Sequence, residues 1–270
     1  VLQALKRPET RKSFHVVENE SELAEMLNAS LEAWRIFLHP TQRKIVERDW
    51  NGPVRVLGGA GTGKTVVAMH RAKWLLENRV VEPRQKILFT TFTRNLADDI
   101  RENIDRLVPA HRGRIEVLNL DSWLSRFFKA RFPRWNIVFP SDRSEAWGLA
   151  LAHRSPELDF DEAFYRDEWE QVVLAQGVTS ESEYLRARRV GRGTTLSAAQ
   201  RKLVWPVFGQ YRSLLESRHQ IESEDAMRMA AQALEHEAGD QTYASVIVDE
   251  SQDLGFQAFR LIRALAGPEH

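Results

Sequence analysis

Apolar residues recur along this chain with two different periods, and the change of period divides it. Over residues 19–38, Leu23, Met26, Leu27, Leu31, Trp34 and Leu38 fall three or four apart, the spacing of one helix face. A turn at His39-Pro40 and a short helical stretch from Thr41 follow, and Val54-Arg55-Val56-Leu57 then reads as a brief strand running into glycines. From there the pattern predicts strict alternation: a helix over 64–77, a strand over 87–91, a helix over 95–107, a strand over 115–118 and a helix over 122–130. Such alternation predicts a parallel sheet with right-handed crossovers.

After about Phe132 the pattern becomes tryptophan-rich and charged, with helical spacing and no strand expected until Ser245. The spacing predicts helices over 167–174, 182–189, 198–215 and 224–236, with turns near Gly177 and Gly191-Arg192-Gly193. Ser245-Val246-Ile247-Val248 then returns to the sheet, and a helix over 256–266 follows. The resulting organisation has an N-terminal helical extension (1–37), an α/β domain in two parts (38–131 and 242–270) and a helical subdomain inserted between them (132–241). The chain contains no internal repeat or low-complexity tract.

Composition narrows the function classes. Hydrophobic residues make up 43% and charged residues 28%, as in an ordinary globular protein. The formal net charge is zero, so any nucleic-acid binding must come from local basic surfaces. Cysteine is absent, which excludes disulfides, thiolate zinc sites and iron–sulfur clusters and points to a reducing, cytoplasmic setting. There is no apolar run of membrane-spanning length, and residues 1–12 lack the apolar core of a secretory signal. The ends at Val1 and His270 are read as cuts from a longer protein.

The strongest chemical signal is Gly58-Gly59-Ala60-Gly61-Thr62-Gly63-Lys64-Thr65, a phosphate loop set between an expected strand and an expected helix. Glycines let backbone amides close around a β-phosphate without Cβ clashes, and the helix that starts at Lys64 adds its positive end. In that chemistry Lys64 bridges the β- and γ-phosphates and the Thr65 hydroxyl suits Mg²⁺. The second signal is Asp249-Glu250, two carboxylates at the carboxyl end of a buried strand, where open α/β sheets bind ligands. Asp249 fits the role of magnesium holder, and Glu250 that of orienting and deprotonating an attacking water.

The run Asp249-Glu250-Ser251-Gln252-Asp253 resembles the DExQD form of motif II in UvrD/Rep-like superfamily 1A DNA helicases. Gln42 resembles the Q motif of that family, with an amide able to donate and accept one hydrogen bond each at an adenine edge. Thr91-Phe92-Thr93-Arg94-Asn95-Leu96-Ala97 is similar to motif Ia, although Arg94 and Asn95 stand where the family has Asn and Lys. Asn119-Leu120-Asp121-Ser122-Trp123 occupies the place of motif Ib, with Asp121 replacing a histidine. Ile221-Glu222-Ser223-Glu224-Asp225 is similar to the acidic element ahead of motif II.

The resemblance implies a RecA-like P-loop domain with a parallel sheet and an inserted helical subdomain. It implies ATP and Mg²⁺ as ligands, with Gln252 joining Gln42, the phosphate loop and Asp249 at the nucleotide. It places Phe92, Thr93, Arg94 and Asn119 at single-stranded DNA. The intact enzyme would be an ATP-driven 3′ to 5′ translocase that unwinds duplex junctions and works with a second motor domain. The portion ending at His270 would bind nucleotide weakly and turn it over poorly.

Two basic clusters stand in or beside the inserted region. Arg126, Lys129, Arg131 and Arg134 interleave with Phe127, Phe128, Phe132 and Trp135, while Arg186, Arg188, Arg189, Arg192, Arg201 and Lys202 surround Gly191 and Gly193. The second is the better expected DNA contact because its glycines imply a mobile loop. Trp147, Trp169 and Trp205 are assigned to packing. Two other functions compete with a motor: a nucleotide-gated DNA-binding or docking module without unwinding, and a P-loop small-substrate transferase. The DExQD run and Gln42 speak against the transferase.

Overall fold

In a computed structural model the protein is described over residues 36–79, 85–236 and 243–266. The amphipathic stretch expected from Asn19 lies outside these residues up to position 35. In chain order the elements are α1 (Pro40–Glu47), α2 (Lys64–Asn78), β1 (Lys86–Thr91), α3 (Arg94–Leu107), β2 (Ile115–Asn119), α4 (Leu120–Arg131) and β3 (Asn136–Val138). There follow α5 (Ser144–Leu151), α6 (Glu162–Glu168) running into a π-helical turn (Trp169–Leu174), α7 (Glu181–Arg186), α8 (Ala198–Ser217), β4 (Gln220–Glu222), α9 (Ser223–His236), β5 (Tyr243–Val248) and α10 (Phe256–Ala266).

These elements fall into two compact units. The described residues of the first are 36–79, 85–119 and 243–251, and those of the second are 120–236 and 252–266. The first unit holds a parallel sheet in the order β2-β1-β5. β1 takes the centre because Ile87, Leu88 and Phe89 are fully buried, as a strand covered on both faces requires. α3 is amphipathic and buries Ala97, Ile100 and Ile104, and its first turn is capped by Thr93, which accepts from Leu96 N. With Met69, Ala72 and Leu76 of α2, these residues build the core of the unit.

Residues 54–57, expected as a strand, form none. β1 pairs only with β2 and β5, and Val54, Val56 and Leu57 are exposed, Leu57 by 75%. A local apolar run becomes a strand only when a neighbour takes its hydrogen bonds and its side chains are buried, and neither happens here.

The second unit is helical around an aromatic core. Trp147 stacks on Tyr211 with centroids 4.1 Å apart, and Trp169 meets both edge-on, in keeping with the packing role expected of Trp147 and Trp169. Trp205 stacks on Tyr184 at the margin of this core. The expectation of no strand before Ser245 is corrected: β3 and β4 form a parallel pair, Ile137 opposite Ile221. Strands of three residues are too short to show a period of two.

Candidate nucleotide site

The phosphate loop opens α2. Gly63 is its N-cap, with φ of 81°, and no side chain caps the helix, so its first N–H groups stay open to a ligand. A side chain at Gly63 would be strained by that φ, and its Cβ would lie 3.0 Å from Gln42 Nε2. Gly58 is required for another reason: a Cβ there would meet Thr62 Oγ1 at 2.6 Å. Residues 58–62 are exposed, and the loop is internally tied. Thr62 Oγ1 donates to Gly59 O (2.8 Å), and Lys64 Nζ donates to Gly58 O (3.1 Å) and Gly59 O (2.9 Å).

Gln42 reaches this loop from the first turn of α1. Its Nε2 donates to Thr62 O (2.9 Å), and its Oε1 accepts from His39 N (3.1 Å) as half of a capping box. One N–H and one lone pair of the amide remain available.

Asp249 and Glu250 follow β5, next to the end of β1, because Asp249 N donates to Thr90 O (2.9 Å) and prolongs the ladder. Thr65 Oγ1 donates to Asp249 Oδ2 at 2.7 Å across a separation of 184 residues. Asp249 is only 6% exposed and its other bond comes from Glu250 N (3.1 Å). Among the described residues no cation pairs with it. Such a carboxylate is costly unless a positive charge joins it, and an all-oxygen pair of donors suits a hard cation such as Mg²⁺. Glu250 adopts φ of 53°, in the left-handed region that non-glycine residues avoid, and strain of this kind gathers at functional sites.

At the end of β1, Phe92 is 53% exposed, and Thr93 and Arg94 are exposed at the start of α3. Asn119 pairs with Thr91 in the ladder and is buried; among the described residues its Oδ1, Thr90 Oγ1 and Thr91 Oγ1 meet no hydrogen-bond partner. Gln252 belongs to the second unit, in a 3-10 turn (Ser251–Asp253), where its amide donates to Asp253.

Residues 38–270 match the UvrD/REP helicase N-terminal domain. The chain belongs to that family. Membership in the UvrD/REP helicase N-terminal domain family makes it a RecA-like α/β domain of the superfamily 1A type, as its motifs imply. It is similar to the ATP-dependent DNA helicase UvrD1 of Mycobacterium leprae, 25% identical over 85% of this chain and 30% of that protein. It is also similar to the ATP-dependent DNA helicase PcrA of Staphylococcus aureus, 33% identical over 32% of the chain and 11% of the relative. The PcrA of Staphylococcus epidermidis is 39% identical over 23% of the chain and 8% of the relative. The chain thus spans about a third or less of the length of these relatives. No helix among its described residues is long and apolar enough to cross a membrane.

The basic clusters divide. Arg126, Lys129, Arg131 and Arg134 are exposed, on or just beyond α4. The second cluster, expected to form a mobile loop, is split: Arg186, Arg188 and Lys202 are exposed, and Arg189, Arg192 and Arg201 turn inward. Arg189 and Arg192 both bind the fully buried Glu168, and Arg201 donates to the carbonyls of Tyr184, Leu185 and Ala187. Sequence reasoning missed this role because Glu168, the residue that absorbs the charge, lies 21 positions from Arg189. Glu222, in the acidic element, is likewise internal: it takes Arg143, Trp169 Nε1 (2.6 Å) and Tyr211 OH (3.0 Å). Burial pushes its carboxyl above the ordinary range, against the pull of Arg143.

Proposed function

We propose that this chain is the ATP-binding part of a DNA helicase that couples ATP hydrolysis to 3′ to 5′ movement on single-stranded DNA and to duplex unwinding. The observation that carries the reading is the 2.7 Å bond between Thr65 of the phosphate loop and Asp249 of the acidic strand end. It joins the two strongest sequence signals at one point, and the names of the similar proteins favour the same activity.

Lys64 and the open N–H groups of α2 bind the phosphates; exchanging the carbonyls of Gly58 and Gly59 for phosphate oxygens gives the ammonium ion a full counter-charge. Thr65 and Asp249 would hold Mg²⁺, which when bound neutralises charge on the β- and γ-phosphates. Glu250, turned out of the strand direction by its left-handed backbone, orients the attacking water and takes its proton. The free donor and acceptor of Gln42 meet the adenine edge. Phe92 offers an exposed ring for a base to stack on, with Thr93 and Arg94 beside it, and Asn119 supports that segment from the neighbouring strand. A second motor domain completes the enzyme, and the compartment is the cytoplasm.

The test is ATP hydrolysis by the full-length protein with and without single-stranded DNA. DNA-stimulated hydrolysis that Lys64→Ala abolishes supports the motor. Nucleotide binding with no hydrolysis under either condition would establish the gated-module alternative.

A further inference from the structure

Gln42 rides on a helix that does little to hold itself in place. α1 has eight residues and buries only Val46, and a helix of that length is marginal alone. Its position is set by α2. His70 Nε2–H donates to Ile36 O (2.8 Å), before the start of α1. The next residue, Arg71, donates from one guanidinium nitrogen to Val46 O (2.5 Å) and Arg48 O (2.8 Å), at the end of α1. The Arg71 guanidinium lies over the Trp74 ring, 4.6 Å from its centroid, and Arg79 lies over the same ring while pairing with Asp49. Two adjacent residues of the phosphate-loop helix therefore grip the segment carrying Gln42 at both ends.

We propose that Arg71, seconded by His70, is a positioning residue for base selection: it locks α1 to α2 so that the free amide donor and acceptor of Gln42 stand at a fixed distance from the phosphate loop. This rests on the reading of Gln42 as the adenine contact. The logic is geometric. Lys64 and Thr65 at the start of α2 fix the phosphates, and a rigid nucleotide then places its base at one height, so the amide that reads it must be referenced to the same helix. Adenine presents a donor and an acceptor on the edge where guanine presents two acceptors, so a glutamine with one of each discriminates only when held in register. Arg71 acts through the two carbonyls of Val46 and Arg48.

The experiment compares Gln42→Ala, Arg71→Ala, Arg71→Lys and His70→Ala in the full-length protein, measuring binding of ATP, GTP and magnesium tripolyphosphate and the KM and kcat for ATP hydrolysis. Arg71→Ala is expected to weaken ATP about tenfold, the loss of one good hydrogen bond, through KM with little change in kcat. GTP and tripolyphosphate should bind as before, so the preference for adenine falls. Arg71→Lys should restore part of the preference, since one ammonium reaches a carbonyl without the fork geometry, and His70→Ala should act in the same direction more weakly. If Arg71→Ala does not fold, Arg71→Lys and His70→Ala carry the same comparison. An unchanged ATP to GTP ratio, with Gln42→Ala changing it, overturns the proposal and leaves the adenine reading standing. An equal loss of all three ligands also overturns it, as the mark of a purely structural residue. If Gln42→Ala itself leaves the ratio unchanged, the adenine reading fails first and takes this proposal with it.

Discussion

The two units of this chain treat a buried carboxylate in opposite ways. In the helical unit Glu168 is fully buried and receives Arg189, Arg192 and the Tyr184 hydroxyl, while Glu222, 2% exposed, receives Arg143, Trp169 and Tyr211. Each acid is matched by a cation and further donors from the same unit. In the sheet unit Asp249 is almost as deeply buried, yet its partners are a neutral hydroxyl and one backbone N–H. Among the described residues the first two acids meet cations and the third meets none, as the magnesium-holding role proposed for Asp249 requires. Networks closed by a cation fix a fold; a buried acid with neutral donors alone, beside an open phosphate loop, is the candidate site.

The contrast predicts that substitutions at the strand ends damage chemistry and spare stability, and that substitutions in the helical core do the reverse. The largest effect is expected for Glu250→Gln in the full-length protein. Loss of a general base should lower kcat by about 10² to 10⁴, with nucleotide binding retained. Glu250→Gln keeps the size of the side chain at the same φ of 53°, so thermal unfolding should move little. Hydrolysis that survives unchanged would remove Glu250 from the mechanism. Next in size is Arg143→Ala, which leaves Glu222 buried without its cation. Breaking a buried pair on one side costs about 3 to 5 kcal/mol, measurable as a lower urea midpoint. A loss below about 1 kcal/mol would mean that Trp169 and Tyr211 suffice for Glu222.

These outcomes also mark what the sequence conveys. Gly58 to Thr65 and Asp249-Glu250 are legible because phosphate chemistry restricts residue type and spacing at once, and the sheet is legible because Ile87-Leu88-Phe89 and Val246-Ile247-Val248 are apolar cores of stretches of strand length. Val54 to Leu57 has the same local look and is no strand, since pairing belongs to a neighbour that the run itself does not name. Arg189 and Arg192 read as part of a mobile, DNA-contacting loop for a parallel reason: a charge announces its sign, and only the fold announces the acid opposite it. The Glu222 element was visible as an acidic motif, but its place inside an aromatic cage required knowing that Trp169 and Tyr211 converge there.

Exposure sets the third expectation. Phe92 contributes little to the core, so Phe92→Ala should leave the unfolding temperature in place and weaken single-stranded DNA binding by about 1 to 3 kcal/mol, the worth of one stacked base. Unaltered DNA affinity in a titration would show that the exposed ring serves something other than the nucleic acid.

The smallest effect concerns acid stability of the sheet unit and follows from His70. Burial lowers its pKa below the ordinary value of 6.5, and the nearby charges of Lys73 and Arg43 press the same way, while the bond to Ile36 O pulls upward. A base whose folded pKa is depressed is neutral in the native state and takes up a proton on unfolding, so the fold keeps this contribution above about pH 6.5 and loses it as pH falls through the folded value. His70→Gln retains an N–H for Ile36 O and cannot take up a proton, so its urea midpoint should decline less than that of the unsubstituted protein between about pH 7.5 and about pH 5. Parallel declines would show that acid sensitivity arises elsewhere, and the two units would then differ in the fate of their carboxylates but not in how they respond to protons.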